Sequence, residues 1–118
     1  MPVNSARSLL RVSEENGRTL ARLTNCTTLT GANSEELGRQ LTALVEGREA
    51  PQLTLDLRDI DLLTSMALAK IISLNGRLRA RGGRLTLVNL KPVVRQVFAV
   101  TKLDRVLDVR DAPEVLSA

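Results

Sequence analysis

The sequence predicts a single α/β domain, a mixed sheet of four or five strands with helices packed mainly on one face. Three observations predict it. An Asn16-Gly17 pair separates two apolar-rich strand-like runs. Alternating Leu53-Thr-Leu-Asp-Leu57 and Leu85-Thr-Leu-Val88 flank a segment of helical periodicity. Two further segments carry apolar residues at helical spacing.

The elements follow in order. Leu9–Ser13 and Thr19–Leu23 read as strands, and Asn-Gly supplies the positive φ that a two-residue hairpin needs. Asn25–Ala32 reads as a polar loop. Asn33 with Glu36 three residues on predicts a capping box, and Leu37, Leu41, Leu44 and Val45 give the helix one apolar face, with Gly47 as its stop. Leu53–Leu57 is the third strand and Arg58–Thr64 the connection. Ser65–Arg81 is the next helix: Ala67, Ile71, Leu74 and Leu78 line its core face, widened by Leu68 and Ile72. Arg84–Val88 is the fourth strand, so strand, helix and strand form a parallel pair with a right-handed crossover. Pro92 opens a helix carrying Val93, Val94, Val97, Phe98 and Val100. Val106–Val109 is a short strand, and Pro113 opens a last short helix. Residues 1–118 form one domain, with a core over about 9–109 and a C-terminal helix or tail over 110–118. The expected core holds Leu10, Val12, Leu20, Leu37, Leu41, Leu44, Leu53, Leu55, Leu68, Ile71, Leu85, Leu87, Val97 and Phe98.

Composition narrows the function classes. The 118 residues contain no His, Trp or Tyr and one Phe. Without His there is no Ser-His-Asp or Cys-His relay and no imidazole ligand, so an enzyme is not expected, nor a metal or cofactor. The single Cys26 excludes an internal disulfide and suits a reducing, cytoplasmic setting. No apolar run is long enough to span a bilayer, and no signal peptide is read at the start. The net charge of +4, from 17 basic and 13 acidic residues, admits an anionic partner. Single-strand binding also needs aromatic stacking platforms, so nucleic acid is not the expected partner.

Several motifs have plain structural readings. Gly82-Gly83 closes a helix instead of opening one, so it is a turn and not a phosphate loop. Asp56, Asp59 and Asp61 read as solvated acids at a connection, not as a cation site. No neighbour in sequence lowers the pKa of Cys26, which reads as a small hydrophobe or loop residue. Lys70, Arg77 and Arg81 form a charged helix side with Ser73 between them, solvated or rimming a docking surface. Thr64 or Ser65 caps the long helix, and a phosphoryl group placed there would gain from the same helix N-terminus.

The run from Leu53 to Ile72 resembles the central segment of STAS domains, the anti-sigma factor antagonists and their relatives in sulphate transporters. Leu78–Asn89 and Val97–Leu107 look like the same family. The resemblance implies the STAS fold and a non-enzymatic bacterial signalling role: binding an anti-sigma factor that is also a serine kinase, until that kinase phosphorylates the second hydroxyl of an Asp-Ser-Ser/Thr-Gly motif. Here Thr64 stands for the Asp, Ser65 matches the first hydroxyl, Met66 occupies the phosphoacceptor position and Ala67 replaces Gly. Lys102 replaces a glycine common after the third helix, where a left-handed residue is favoured. Two consequences are expected in the alternative: constitutive binding with Met66 as an apolar contact, or transfer of the phosphoacceptor role to Ser65 or Thr64. The expected docking surface comprises Thr64, Ser65, Met66 and Ala67, with Asn25, Thr28 and Thr30 from the earlier loop and Lys70 and Arg77 as a charged rim. Other readings are a scaffold subunit of a larger signalling or lipid-transport assembly, and a basic nucleotide or nucleic-acid binder. A homodimer is allowed.

Overall fold

The computed structural model describes residues 10–110. The helix expected from Pro113 lies outside them. In chain order the elements are β1 (Leu10–Glu15), β2 (Arg18–Leu23), β3 (Thr28–Leu29), α1 (Gly31–Val45), β4 (Gln52–Asp56), β5 (Leu62–Leu63), α2 (Ser65–Ala80), β6 (Arg84–Val88), α3 (Pro92–Val100), a 3-10 turn (Leu103–Arg105) and β7 (Asp108–Arg110). The main sheet has five strands in the order β1-β2-β4-β6-β7, and β3 pairs with β5 in a separate two-stranded ribbon.

The β1–β2 hairpin turns on Asn16 (φ 52°) and Gly17 (φ 79°), the left-handed pair that two-residue hairpins require. Every later strand of the main sheet pairs in parallel and steps in the same direction across it. Right-handed crossovers taken in one direction place their helices on one face. That face carries the core: Ala21, Leu53, Leu55, Leu85 and Leu87 meet Leu37 and Leu41 of α1, Ile71, Leu74 and Leu78 of α2, and Val94 and Phe98 of α3. Phe98 is fully buried.

Side-chain parity along β2 corrects part of the expected core. Thr19, Ala21 and Leu23 are buried, while Leu20 is only half-buried. Ala21 is in register with Leu55 on the helix-packed side, which turns Leu20, opposite Thr54, to the helix-free side. Val12 lies opposite Ala21, yet it is 43% exposed because β1 is an edge strand beyond the reach of the helices. Leu10, Leu44, Leu68 and Val97 are partly buried, and Ile72 lies at the surface.

Two backbone features explain residues that the sequence singled out. Gly82 adopts φ +77° and closes α2, as the turn reading expected. At Gly83 an added Cβ would sit 2.1 Å from the Pro51 carbonyl oxygen, so the close approach of the β6 entrance to Pro51 needs glycine. Lys102 adopts φ +63°, the left-handed geometry in which the absent glycine would be unstrained.

Candidate functional site

The entrance of α2 is built by its own cap. Thr64 holds an extended backbone, and its Oγ1 accepts a hydrogen bond from the Ala67 N–H at 3.2 Å. The hydroxyl therefore satisfies one of the donors left open at a helix start. Ser65 and Met66 follow on the outside, Met66 at 57% exposure. Ala67 is fully buried. This corrects its assignment to the docking surface: its methyl faces inward because the cap turns the third helical position toward the core.

The short ribbon brings the earlier loop to this entrance. Thr28 pairs with Leu62 and Leu29 with Leu63. The Asp61 N–H donates to the Thr27 carbonyl at 2.7 Å, and the Thr64 N–H donates to the Leu29 carbonyl at 3.0 Å. Thr30 is the residue immediately before α1. It caps that helix in a reciprocal box: its Oγ1 accepts from the Asn33 N–H at 3.3 Å, and its own N–H donates to Asn33 Oδ1 at 2.7 Å. The expected box with Asn33 as cap and Glu36 as its return partner is thus shifted by one helical turn. Thr30 wins because the ribbon fixes its backbone, while Asn33 reaches back to the Thr28 carbonyl.

The two helix entrances consequently lie side by side. A Cβ placed on Gly31 would touch Met66 Cγ at 3.6 Å, so the methionine rests over the first turn of α1. Leu62, on the ribbon, is 55% exposed. Its sequence signal was slight, a single leucine pair between acidic and hydroxyl residues. Lys70 lies one helical turn beyond Met66, and its ammonium pairs with Glu35 at 3.4 Å, an exposed contact. Asp61 pairs with Lys91, which ties the ribbon to the start of α3. Asn25 is exposed at φ 62° on the loop leading to the ribbon.

Arg77 does not join this group. It sits eleven residues along α2 from Met66, about 16 Å at the helical rise. There it helps line a groove of about 410 Å³ between α1 and α2, together with Lys70, Ser73, Glu35, Arg39 and Glu46. Lys70 thus borders both the entrance and the groove, whereas Arg77 borders the groove alone.

Asp56 also departs from its expected role. It is 2% exposed and not a solvated acid. Its carboxylate accepts from Arg58 Nη2 at 2.7 Å, from the Arg58 backbone N–H at 3.0 Å and from Asn89 Nδ2 at 3.0 Å. A buried carboxylate needs such partners, and here they pin the start of the connection that leads to α2. Among the described residues no group of three or more His, Cys, Asp or Glu could hold a metal ion. Partial burial, and then the charge of nearby Asp59, push the Cys26 thiol above its ordinary pKa, so it is not an activated nucleophile. No described helix is long and apolar enough to cross a membrane.

A one-directional parallel sheet behind an N-terminal hairpin, with a capped helix entrance beside a short ribbon, defines a small α/β domain of the STAS type. The family model described as "Mlab, STAS domain" matches residues 7–110, and the chain belongs to the STAS domain family. BtrV of Bordetella bronchiseptica, which carries the name of an anti-sigma factor antagonist, is 33% identical over 87 residues, covering 74% of this chain and 74% of BtrV. Among solved structures, an anti-sigma-factor antagonist (STAS) domain protein from Planctomyces limnophilus gives a TM-score of 0.79 at 18% identity, over 91% of this chain and 92% of that one. The anti-sigma factor antagonist SpoIIAA in its unphosphorylated form gives 0.73 at 21% identity, over 92% of this chain and 91% of that one. The chain is an anti-sigma factor antagonist-like STAS domain.

Proposed function

We propose that this chain binds an anti-sigma factor of the serine-kinase type through the α2 entrance, and that the contact persists without a phosphorylation switch at Met66. One observation carries the reading: Met66, 57% exposed, lies over Gly31 where two helix entrances meet, with the exposed Leu62 on the adjoining ribbon. Exposed apolar side chains beside capped helix ends suit a reversible protein contact. A thioether accepts no phosphoryl group, so the position that acts as a switch in the family becomes a fixed contact here. The names of BtrV and SpoIIAA support the choice of partner class. Thr64, Ser65, Met66, Thr28, Thr30 and Lys70 belong to this surface, with Asn25 at its margin. The whole chain acts as one domain, and the reading allows a homodimer.

A specific observation favours a second reading. Ser65 is exposed at the first helical position, whereas the Thr64 hydroxyl is engaged in the cap. A phosphoryl group on Ser65 would lie at the helix N-terminus, where negative charge is favoured. The test is titration calorimetry of the full chain against each serine-kinase-type anti-sigma factor encoded in the source genome. It is run with and without ATP and followed by mass spectrometry. Equal affinity in both conditions and an unmodified 61–70 peptide are expected. A phosphate on Ser65 with loss of binding would establish the second reading, and no binding to any of these proteins would end both.

A further inference from the structure

We propose that two copies of this chain pair through β1, edge to edge and antiparallel about a two-fold axis at Ser13, joining their sheets into one. No described strand covers the outer edge of β1. The two-residue turn makes Glu15 and Arg18 a hydrogen-bonded pair, so along β1 the N–H and C=O groups of Val12 and Glu14 point outward. An unpaired row of this kind is a template for another strand.

The side chains select a second copy as the occupant. Arg11 and Glu15 are exposed, and neither makes an ion pair among the described residues. Within the chain Arg11 faces Arg22 across the hairpin, like charge against like. With the axis at Ser13, Arg11 meets the second copy's Glu15, and symmetry repeats the pair. Val12 then exchanges backbone hydrogen bonds with the second copy's Glu14. The two Val12 side chains come together diagonally on the helix-bearing face, at an edge beyond the reach of the helices, which would shield residues now 43% exposed. Charges on an edge strand ordinarily repel such pairing. Here opposite signs four residues apart are self-complementary, as an isologous interface demands. The β1 edge is two strands away from β4 and the α2 entrance, so its variants leave Met66 and the partner reading untouched.

Sedimentation velocity of the full chain from about 10 to 500 µM tests this, because self-association follows mass action. The wild type should show a concentration-dependent dimer. Arg11→Glu and Glu15→Arg should each weaken it roughly tenfold or more, since each replaces two attractive cross-strand pairs by two repulsive ones. The double variant Arg11→Glu/Glu15→Arg should recover to within about threefold of wild type, the signature of direct coupling. Both residues are exposed, and circular dichroism confirms that each variant is folded. A wild type that stays monomeric throughout, a dimer indifferent to the single changes, or a double variant that stays weak would overturn the proposal.

Discussion

Met66→Asp separates the fold from the function, because the fold should hardly respond while binding should fall steeply. The side chain is 57% exposed, so less than half of its surface is lost from contact, chiefly over Gly31. Removing that contact costs about 1 kcal/mol at roughly 25 cal/mol per Å². An aspartate at the second position of α2 gains about 0.3–1 kcal/mol from the helix N-terminus. The two nearly cancel, and the melting temperature should move by no more than about 4 °C in a domain of this size. The binding surface, by contrast, receives a charge where it offered an apolar contact. Affinity for the anti-sigma factor should fall at least about a hundredfold, because an unpaired charge in a desolvated contact costs several kcal/mol. Thermal melts by circular dichroism and titration calorimetry on the same preparation read both effects. Unchanged affinity in a folded variant would show that the entrance is not the contact. Loss of the fold would show that Met66 is a core residue, contrary to its exposure.

Three further outcomes follow from the packing and the charges. Phe98→Ala should cost about 3–5 kcal/mol, read by urea unfolding, since the ring is fully enclosed; an unchanged midpoint would refute the placement of α3. Gly83→Ala should cost at least about 2 kcal/mol in the same assay, because the new Cβ meets the Pro51 backbone and a strand entrance has little room to yield; wild-type stability would contradict that approach. The Arg48 guanidinium first, and then the Thr19 hydroxyl, hold the Glu14 carboxyl below its ordinary pKa. The folded value being depressed, this contribution is present at neutral pH and disappears as acid carries Glu14 through its folded pKa. Melting temperatures measured from neutral to acid should fall less steeply for Glu14→Gln than for wild type below about pH 4, and parallel curves would show that the contact contributes nothing.

The family of the chain was legible in its residues, as was the position of its candidate site at the start of the long helix. The site's exact membership was not. A hydroxyl cap at Thr64 or Ser65 could be read from hydroxyls preceding an apolar helix, and Met66 from the family pattern, but only the structure chose Thr64. Leu62 and Gly31 could not, because each matters only through a neighbour more than thirty residues away in the chain. Ala67 looked like a surface member until the cap geometry showed which way its methyl turns.

What the sequence by itself determined is local. Asn16-Gly17 imposes the hairpin, since few other dipeptides accept two left-handed residues in succession. Helical spacing marks α1, α2 and α3, and Gly82-Gly83 ends α2. The left-handed Lys102 was implied only by the family resemblance, in which a glycine is common at that helix end. What only the tertiary structure decided is pairing. Register against β4 makes Ala21 and not Leu20 the core residue of β2. The ribbon of Thr28–Leu29 with Leu62–Leu63 makes Thr30 the cap of α1 and lays two helix entrances together. Arg58 and Asn89 converge to make Asp56 a buried acid. In each case the deciding partner is not set by local periodicity: strand register comes from contacts between chain segments that local spacing never compares.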